Sequence, residues 1–162
     1  MAQKPRSYNN TKTGYYKIKN PDKYMGNPID IVYRSSWEYK FMVYCDLNDK
    51  ILKWSSESIK IPYTDHTGKS RYYIPDFYIE TKHEKVDGLI NKFLIEVKPA
   101  KETKQPIMPK GTISEKKLKK LEYELKTWMK NKYKWVHAME WCNARDIKFL
   151  IVTENHLKYF KL

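Results

Sequence analysis

The chain lacks the residues that usually staple a small protein together. Its 162 residues include only two cysteines, Cys45 and Cys142, both inside apolar-patterned segments, so reduced core thiols are expected and not a disulfide framework. The histidines, His66, His83, His137 and His156, have no zinc-ligand spacing, which argues against a His/Cys metal centre. Five scattered glycines form no phosphate-cradling loop, which disfavours nucleotide hydrolysis. Ser55 and Ser56 have no partnered His and Asp, so no hydrolase triad is proposed. No run approaches the ~18 apolar residues of a membrane helix. Met1-Ala2-Gln3-Lys4-Pro5-Arg6 contains no apolar stretch of a signal peptide. A soluble, intracellular protein without a membrane partner is expected.

Aromatic residues and positive charge are abundant. Fourteen Tyr and five Trp can build a core without many Leu or Val. Thirty-two Lys and Arg against nineteen Asp and Glu leave a net charge of +13. That excess favours a polyanionic partner, nucleic acid ahead of membrane, although a ribosome-like or capsid-binding basic protein has the same composition. The length suits one domain with an appended arm.

Residues 1–33 are polar, basic and Tyr-rich, punctuated by Pro5, Gly14, Pro21, Gly26 and Pro28. They read as an extended arm whose removal leaves the domain folded. A helix is predicted over 35–47, where Ser35 and Glu38 fit a capping box and Trp37, Phe41, Tyr44 and Cys45 recur at helical spacing. Strands follow at 51–54 or 58–63, at 70–80 and at 91–98, with hairpin turns at Asp65-His66-Thr67-Gly68 and Lys85-Val86-Asp87-Gly88. Pro99, Pro106 and Pro109 interrupt a polar stretch. Leu118, Leu121, Leu125, Trp128 and Met129 predict a helix over 114–130 ending at Asn131, with a short helix near 137–144. Ile147 to Val152 reads as a strand too apolar for an exposed edge. The order is helix, three strands, helix, strand.

Candidate chemistry lies on two of these strands. In Phe93-Leu94-Ile95-Glu96-Val97-Lys98, alternation puts Glu96 and Lys98 on one face, roughly 7 Å apart, together with Leu94. Their desolvation must be offset: a divalent metal beside Glu96 and a phosphate beside Lys98 would do so, and a cross-strand ion pair on a solvated face is the simpler alternative. Asp76, in Ile74-Pro75-Asp76-Phe77, could add a second carboxylate or could serve as a turn residue. Glu38 is the third acid. It satisfies the helix cap, and at three, four and seven residues from Phe41, Met42 and Cys45 it also borders the buried face. Glu57 and Glu80 read as surface charges.

Arg34-Ser35-Ser36-Trp37-Glu38, Ile74-Pro75-Asp76-Phe77 and Leu94-Ile95-Glu96-Val97-Lys98-Pro99, set on this order of elements, resemble the PD-(D/E)XK nuclease superfamily. Within it the likeness is to the head-completion nucleases of T-even-type tailed phages, relatives of the TnsA N-terminal nuclease domain. The segments Trp135 to Trp141 and Phe149 to Glu154 share in it, and it covers roughly 34–154, leaving the arm without a counterpart. The resemblance implies an α/β, restriction-endonuclease-like core over 34–162, with a mixed sheet flanked by helices in the order αβββαβ. It implies Asp76 and Glu96 as ligands of Mg²⁺, for which Mn²⁺ could substitute, the Val97 carbonyl completing the shell, and Glu38 as an accessory acid. Lys98 would stand near the attacking water, to orient it, deprotonate it or stabilise transition-state charge. A polar residue often follows the Glu-x-Lys motif, and Gln105 is the candidate.

Residues 101–134 carry eleven Lys against four Glu. They read either as a solvated helix face or as a surface that tracks DNA phosphates, with Lys101, Lys104, Lys116, Lys117 and Lys120 as the expected contacts. The implied function is a metal-dependent DNA endonuclease in phage head completion. It would act in the host cytoplasm during assembly, in contact with head, portal or neck proteins, and could be virion-associated or dimeric. A non-catalytic DNA-holding head or neck protein and a transposition nuclease subunit are the alternatives.

Overall fold

The computed structural model describes residues 13–158; the first twelve residues of the expected arm lie outside it. Helix α1 (Ser36–Leu47) starts where Ser35 Oγ accepts the Glu38 N–H at 3.1 Å, and its face of Phe41, Met42 and Cys45 is buried. The main sheet contains β3 (Ile51–Ser56), β6 (Phe77–Lys82), β7 (Ile90–Val97) and β8 (Lys148–Val152), side by side in that order. The pairs β3–β6 and β6–β7 are antiparallel, while β8 runs parallel to β7. A parallel return needs a long crossover, and α2 (Glu115–Asn143) provides it. The order αβββαβ is as expected, with a hairpin inserted after β3.

The sheet divides two cores. Ile95 and Val97 of β7 face α1 with Trp54, Phe77, Ile79 and Val152. Leu94 faces α2 with Tyr78, Trp135, Ala138 and Cys142. The period-2 reading of β7 therefore holds, and both cysteines are free thiols in these cores.

Four local expectations change. The stretch 70–80 is two strands: β5 (Ser70–Tyr73) pairs with β4 (Ile61–Thr64) in a separate hairpin, and β6 begins after Pro75. Proline offers no N–H to a ladder, so the chain changes sheets there. Both positions considered for the first strand are used, one in each sheet. Helix α2 runs unbroken for 29 residues through Asn131, which is buried in the stripe that continues to Trp135, Ala138 and Cys142; packing overrides a weak stop signal. Strand β8 lies at an edge of the sheet, and Leu150 is 45% exposed. Its apolar run reflects coverage of faces, Phe149 and Ile151 against the α2 core and Val152 against the α1 core, and not hydrogen bonding on both sides.

The fourth change concerns the arm. Residues 13–33 wrap onto the domain: Tyr16 and Ile31 are buried in the α1 core, and β1 (Gly14–Tyr15) pairs with β2 (Val32–Tyr33). Tyr24 packs edge-on against Trp54 at 4.7 Å between ring centroids. The anchor is Asp46, fully buried at the end of α1, whose carboxylate accepts from Tyr16 Oη (2.8 Å), Lys19 N (2.7 Å) and Asn20 N (2.9 Å). Polar composition concealed this because much of the attachment consists of N–H and O–H groups meeting one buried acid.

Burial alone would raise the Asp46 carboxyl, but the N–H and O–H groups donated by Lys19, Tyr16 and Asn20 outweigh it and hold it below its ordinary range. A folded pKa below the unfolded value gives stability that is present above about pH 4 and lost as pH falls through the folded pKa. Asp46→Ala should cost about 2–4 kcal/mol in urea unfolding at pH 7, with a smaller difference from wild type in acid. Deletion of residues 13–33 should lower the thermal midpoint sharply. A truncated protein melting like wild type would show the wrap to be dispensable.

Candidate active site

The register between β6 and β7 builds the site. Phe77 stands opposite Ile95, so one step outward Asp76 meets Glu96 where the two strands end. Asp76 Oδ2 accepts the Val97 N–H at 2.7 Å. Beyond Glu96, the Lys98 N–H donates to the Val152 carbonyl at 2.9 Å, so β8 fixes the Glu-x-Lys backbone from the other side. Glu96 is 4% exposed. Its Oε2 accepts from Tyr73 Oη at 2.7 Å, and its Oε1 lies 3.2 Å from Lys98 Nζ. The solvated-face alternative for this pair is excluded by that burial.

Glu38 sits on the first turn of α1. Its Oε2 accepts the Arg34 N–H at 2.8 Å and its Oε1 the Ser35 hydroxyl at 2.9 Å, so both readings of this residue have a physical basis: it caps the helix and it adds negative charge beside Asp76. Burial raises the Glu38 carboxyl, and the Arg34 N–H and Ser35 hydroxyl counter part of that. Two neighbours were not singled out from sequence. Tyr73 comes from the inserted hairpin and orients Glu96. Glu57, read as a surface charge, adopts the left-handed region at φ 48°, donates its N–H to the Asp76 carbonyl at 2.9 Å, and takes a two-pronged ion pair from Arg34 at 2.9 and 3.0 Å. Its unusual backbone could not be read from the local sequence.

Gln105 stands apart. It lines a cleft between the loop after β7 and α2 with Lys101, Lys104, Lys120 and Trp128, and none of Glu38, Asp76, Glu96 or Lys98 borders that cleft. Lys116 and Lys117 lie exposed on the first turn of α2, as expected of either reading of the lysine run.

The electrostatics are those of two carboxyl groups crowded together away from water. Burial first, and then the charges of Glu96 and Glu38, push the Asp76 carboxyl well above its ordinary value, with the Val97 N–H and Lys98 opposing. Burial alone would lower Lys98, but Glu96 and Asp76 hold its ammonium above the ordinary lysine value. Among the described residues no group of three or more His, Cys, Asp or Glu side chains is close enough to hold a metal ion. The available donors are the Asp76–Glu96 pair, hard oxygen ligands that suit a divalent ion retaining several waters.

The profile of the family described as TnsA-like endonuclease N terminal matches residues 48–154, a span that contains Asp76, Glu96 and Lys98. The chain belongs to this endonuclease family. It is also 38% identical over 147 residues to the head completion nuclease of Enterobacteria phage T4, covering 90% of this chain and 93% of that protein. The PD-(D/E)XK resemblance and the restriction-endonuclease-like fold are thereby borne out, and the protein is an endonuclease that hydrolyses phosphodiester bonds. Members of the family generally act with a divalent metal, and the pair at Asp76 and Glu96 is chemically suited to one.

Because burial and the Glu96 and Glu38 charges disfavour ionisation of Asp76, the site is held at the expense of stability. Asp76→Asn keeps an oxygen for the Val97 N–H and should leave the metal-free protein at least as stable as wild type at neutral pH. Millimolar Mg²⁺ should raise the wild-type melting temperature and leave the Asn variant unchanged. Equal shifts in both would place cation binding elsewhere.

Proposed function

We propose that Asp76 and Glu96 hold a single Mg²⁺, replaceable by Mn²⁺, and that Glu38, Asp76, Glu96 and Lys98 are the working residues of a DNA endonuclease. The observation that carries this reading is the meeting of Asp76, Glu96 and Lys98 at the ends of two paired strands in a chain of this family. The bound cation supplies Lewis-acid polarisation of the scissile phosphate and acidifies water.

The protein groups divide the remaining work. The Val97 N–H and the Tyr73 hydroxyl each engage one oxygen of Asp76 and Glu96, which fixes both carboxylates before substrate arrives. The Val97 carbonyl is the proposed backbone ligand. Lys98, half-buried and held by Glu96, presents an ammonium where negative charge builds on the phosphate and where an attacking water must be oriented. Glu38 adds negative charge from behind, its oxygens already engaged by Arg34 and Ser35.

The substrate is DNA, drawn to a chain of net charge +13, with Lys101, Lys104, Lys116, Lys117 and Lys120 contributing non-specific phosphate contacts. The identity to a phage head completion nuclease supports a role in finishing filled phage heads. The protein would work in the host cytoplasm during assembly, beside head, portal or neck proteins and in association with the virion. No helix among the described residues is long and apolar enough to cross a membrane.

Purified protein should nick and linearise plasmid DNA with Mg²⁺ or Mn²⁺ and stop when the metal is chelated. Glu96→Gln and Asp76→Asn should lower the rate by about 10³-fold or more, and Lys98→Ala by about 10²–10³-fold with Mg²⁺ binding kept. Glu38→Gln should be milder and cost up to about 1 kcal/mol of stability through its capping role. Cleavage by folded Glu96→Gln at the wild-type rate would defeat the assignment.

A further inference from the structure

Of the eleven lysines between 101 and 134, Lys134 alone is not fully exposed. Its Nζ lies over the Tyr73 ring, 5.3 Å from the centroid, and the hydroxyl of the same tyrosine bonds Glu96 at 2.7 Å. Lys134 is therefore one aromatic ring away from the acid pair. Among the described residues no carboxylate comes within salt-bridge distance of it, whereas Lys98 is held by Glu96 at 3.2 Å. Burial lowers Lys134, and the neighbouring cations Lys130 and Lys98 add to that, with Glu96 and Asp76 opposing. A half-buried ammonium without a counter-ion is costly unless an anion arrives.

The surroundings favour an anion from the substrate. Lys134 and Lys130 form one wall of a cleft of about 430 Å³, and Tyr63, His66, Arg71 and Tyr72 of the β4–β5 hairpin form the other. The single acid of that cleft, Asp65, is already occupied by Arg71 at 2.9 Å and by its own turn. The hairpin is fixed on α2 because Ile61, Tyr63 and Tyr73 share a core with Trp135, Ala138 and Cys142. The cleft thus sets Lys130 and Lys134 opposite Arg71, itself held by Asp65, and Lys134 links this wall to Glu96 through the Tyr73 ring.

We propose that Lys134 grips a backbone phosphate of the DNA strand entering the active site, with Lys130 at the mouth of the cleft and Arg71 on the facing wall. This rests on the endonuclease site at Asp76 and Glu96 and gives it the direction from which DNA arrives. Lys132 also lies over a ring, that of Trp128, but is exposed; Lys134 combines its ring partner with partial burial, so it loses less side-chain freedom when it binds. It reads no base, and its contribution is independent of sequence.

The test measures binding of a fluorescein-labelled DNA duplex by the full chain in EDTA, where no cleavage occurs, across a salt series. Lys134→Met retains an unbranched chain over Tyr73 and removes the charge. It should weaken binding about tenfold and reduce the log–log salt slope by about 0.9, one phosphate, while Lys134→Arg stays close to wild type. Folded Lys134→Met with wild-type affinity and slope overturns the proposal. So does Lys134→Arg binding as poorly as Lys134→Met, which would assign the residue to packing alone. Glu96→Gln separates this result from the active-site reading: it should still bind DNA in EDTA and fail to cut with Mg²⁺. If it cuts at the wild-type rate, the chemistry lies elsewhere while the Lys134 measurement stands on its own.

Discussion

The antiparallel register of β6 and β7 places Asp76 opposite Glu96 at the point where both strands stop, and much of the molecule serves to hold that apposition. Two carboxylates do not remain together in a half-dry setting without support. Here the support is distributed: the Val97 N–H on Asp76, the Tyr73 hydroxyl and Lys98 ammonium on Glu96, and β8 pinning Lys98 by its backbone. The acids still repel, and Asp76 stays well above its ordinary pKa. That crowding is the reason the pair is proposed to take a cation.

The inserted hairpin joins the candidate site to α2. β4 and β5 add no strand to the main sheet, yet they carry Tyr73 to Glu96 and close a cleft against the C-terminal half of α2. Their attachment is apolar, through Ile61 and Tyr63 against Ala138 and Cys142, so the cleft wall is positioned by packing and not by exposed ion pairs. On the opposite face of the sheet, residues 13–33 add to their buried Tyr16 and Ile31 a set of polar groups converging on Asp46. An apolar clamp and a buried polar anchor thus hold two segments that a hydropathy profile treats alike.

The length of α2 has a functional consequence. A helix ending at Asn131 would leave the cleft without Lys134 and the second core without Trp135. Continuous through 29 residues, α2 carries the exposed lysines of its first turns and the half-buried one beside Tyr73 on a single rigid element. Lysines that look equivalent in composition therefore differ in energetics: the early ones are solvated, two of them paired with Glu115 and Glu124, while Lys134 is desolvated and fixed.

Local pattern was enough for several elements. Strand β7 was legible because Phe93, Ile95 and Val97 alternate with Leu94 and Glu96, α1 because its cap and stripe agree, and both hairpin turns because Gly68 and Gly88 supply the positive φ they need. Asp76, Glu96 and Lys98 were legible as types at a spacing, since a strand fixes which side chains share a face. Tertiary structure alone decided the rest. Whether Pro75 ends a strand or moves it to another sheet depends on which partner is available, and Asn131 ends a helix only if nothing packs against it. Glu57 and Tyr73 belong to the site through contacts across more than twenty residues of chain, from Arg34 to Glu57 and from Tyr73 to Glu96. Local periodicity reports which face of an element is buried. It does not report against what, and the environment of Lys134, like the attachment of residues 13–33 to Asp46, exists only once distant segments have met.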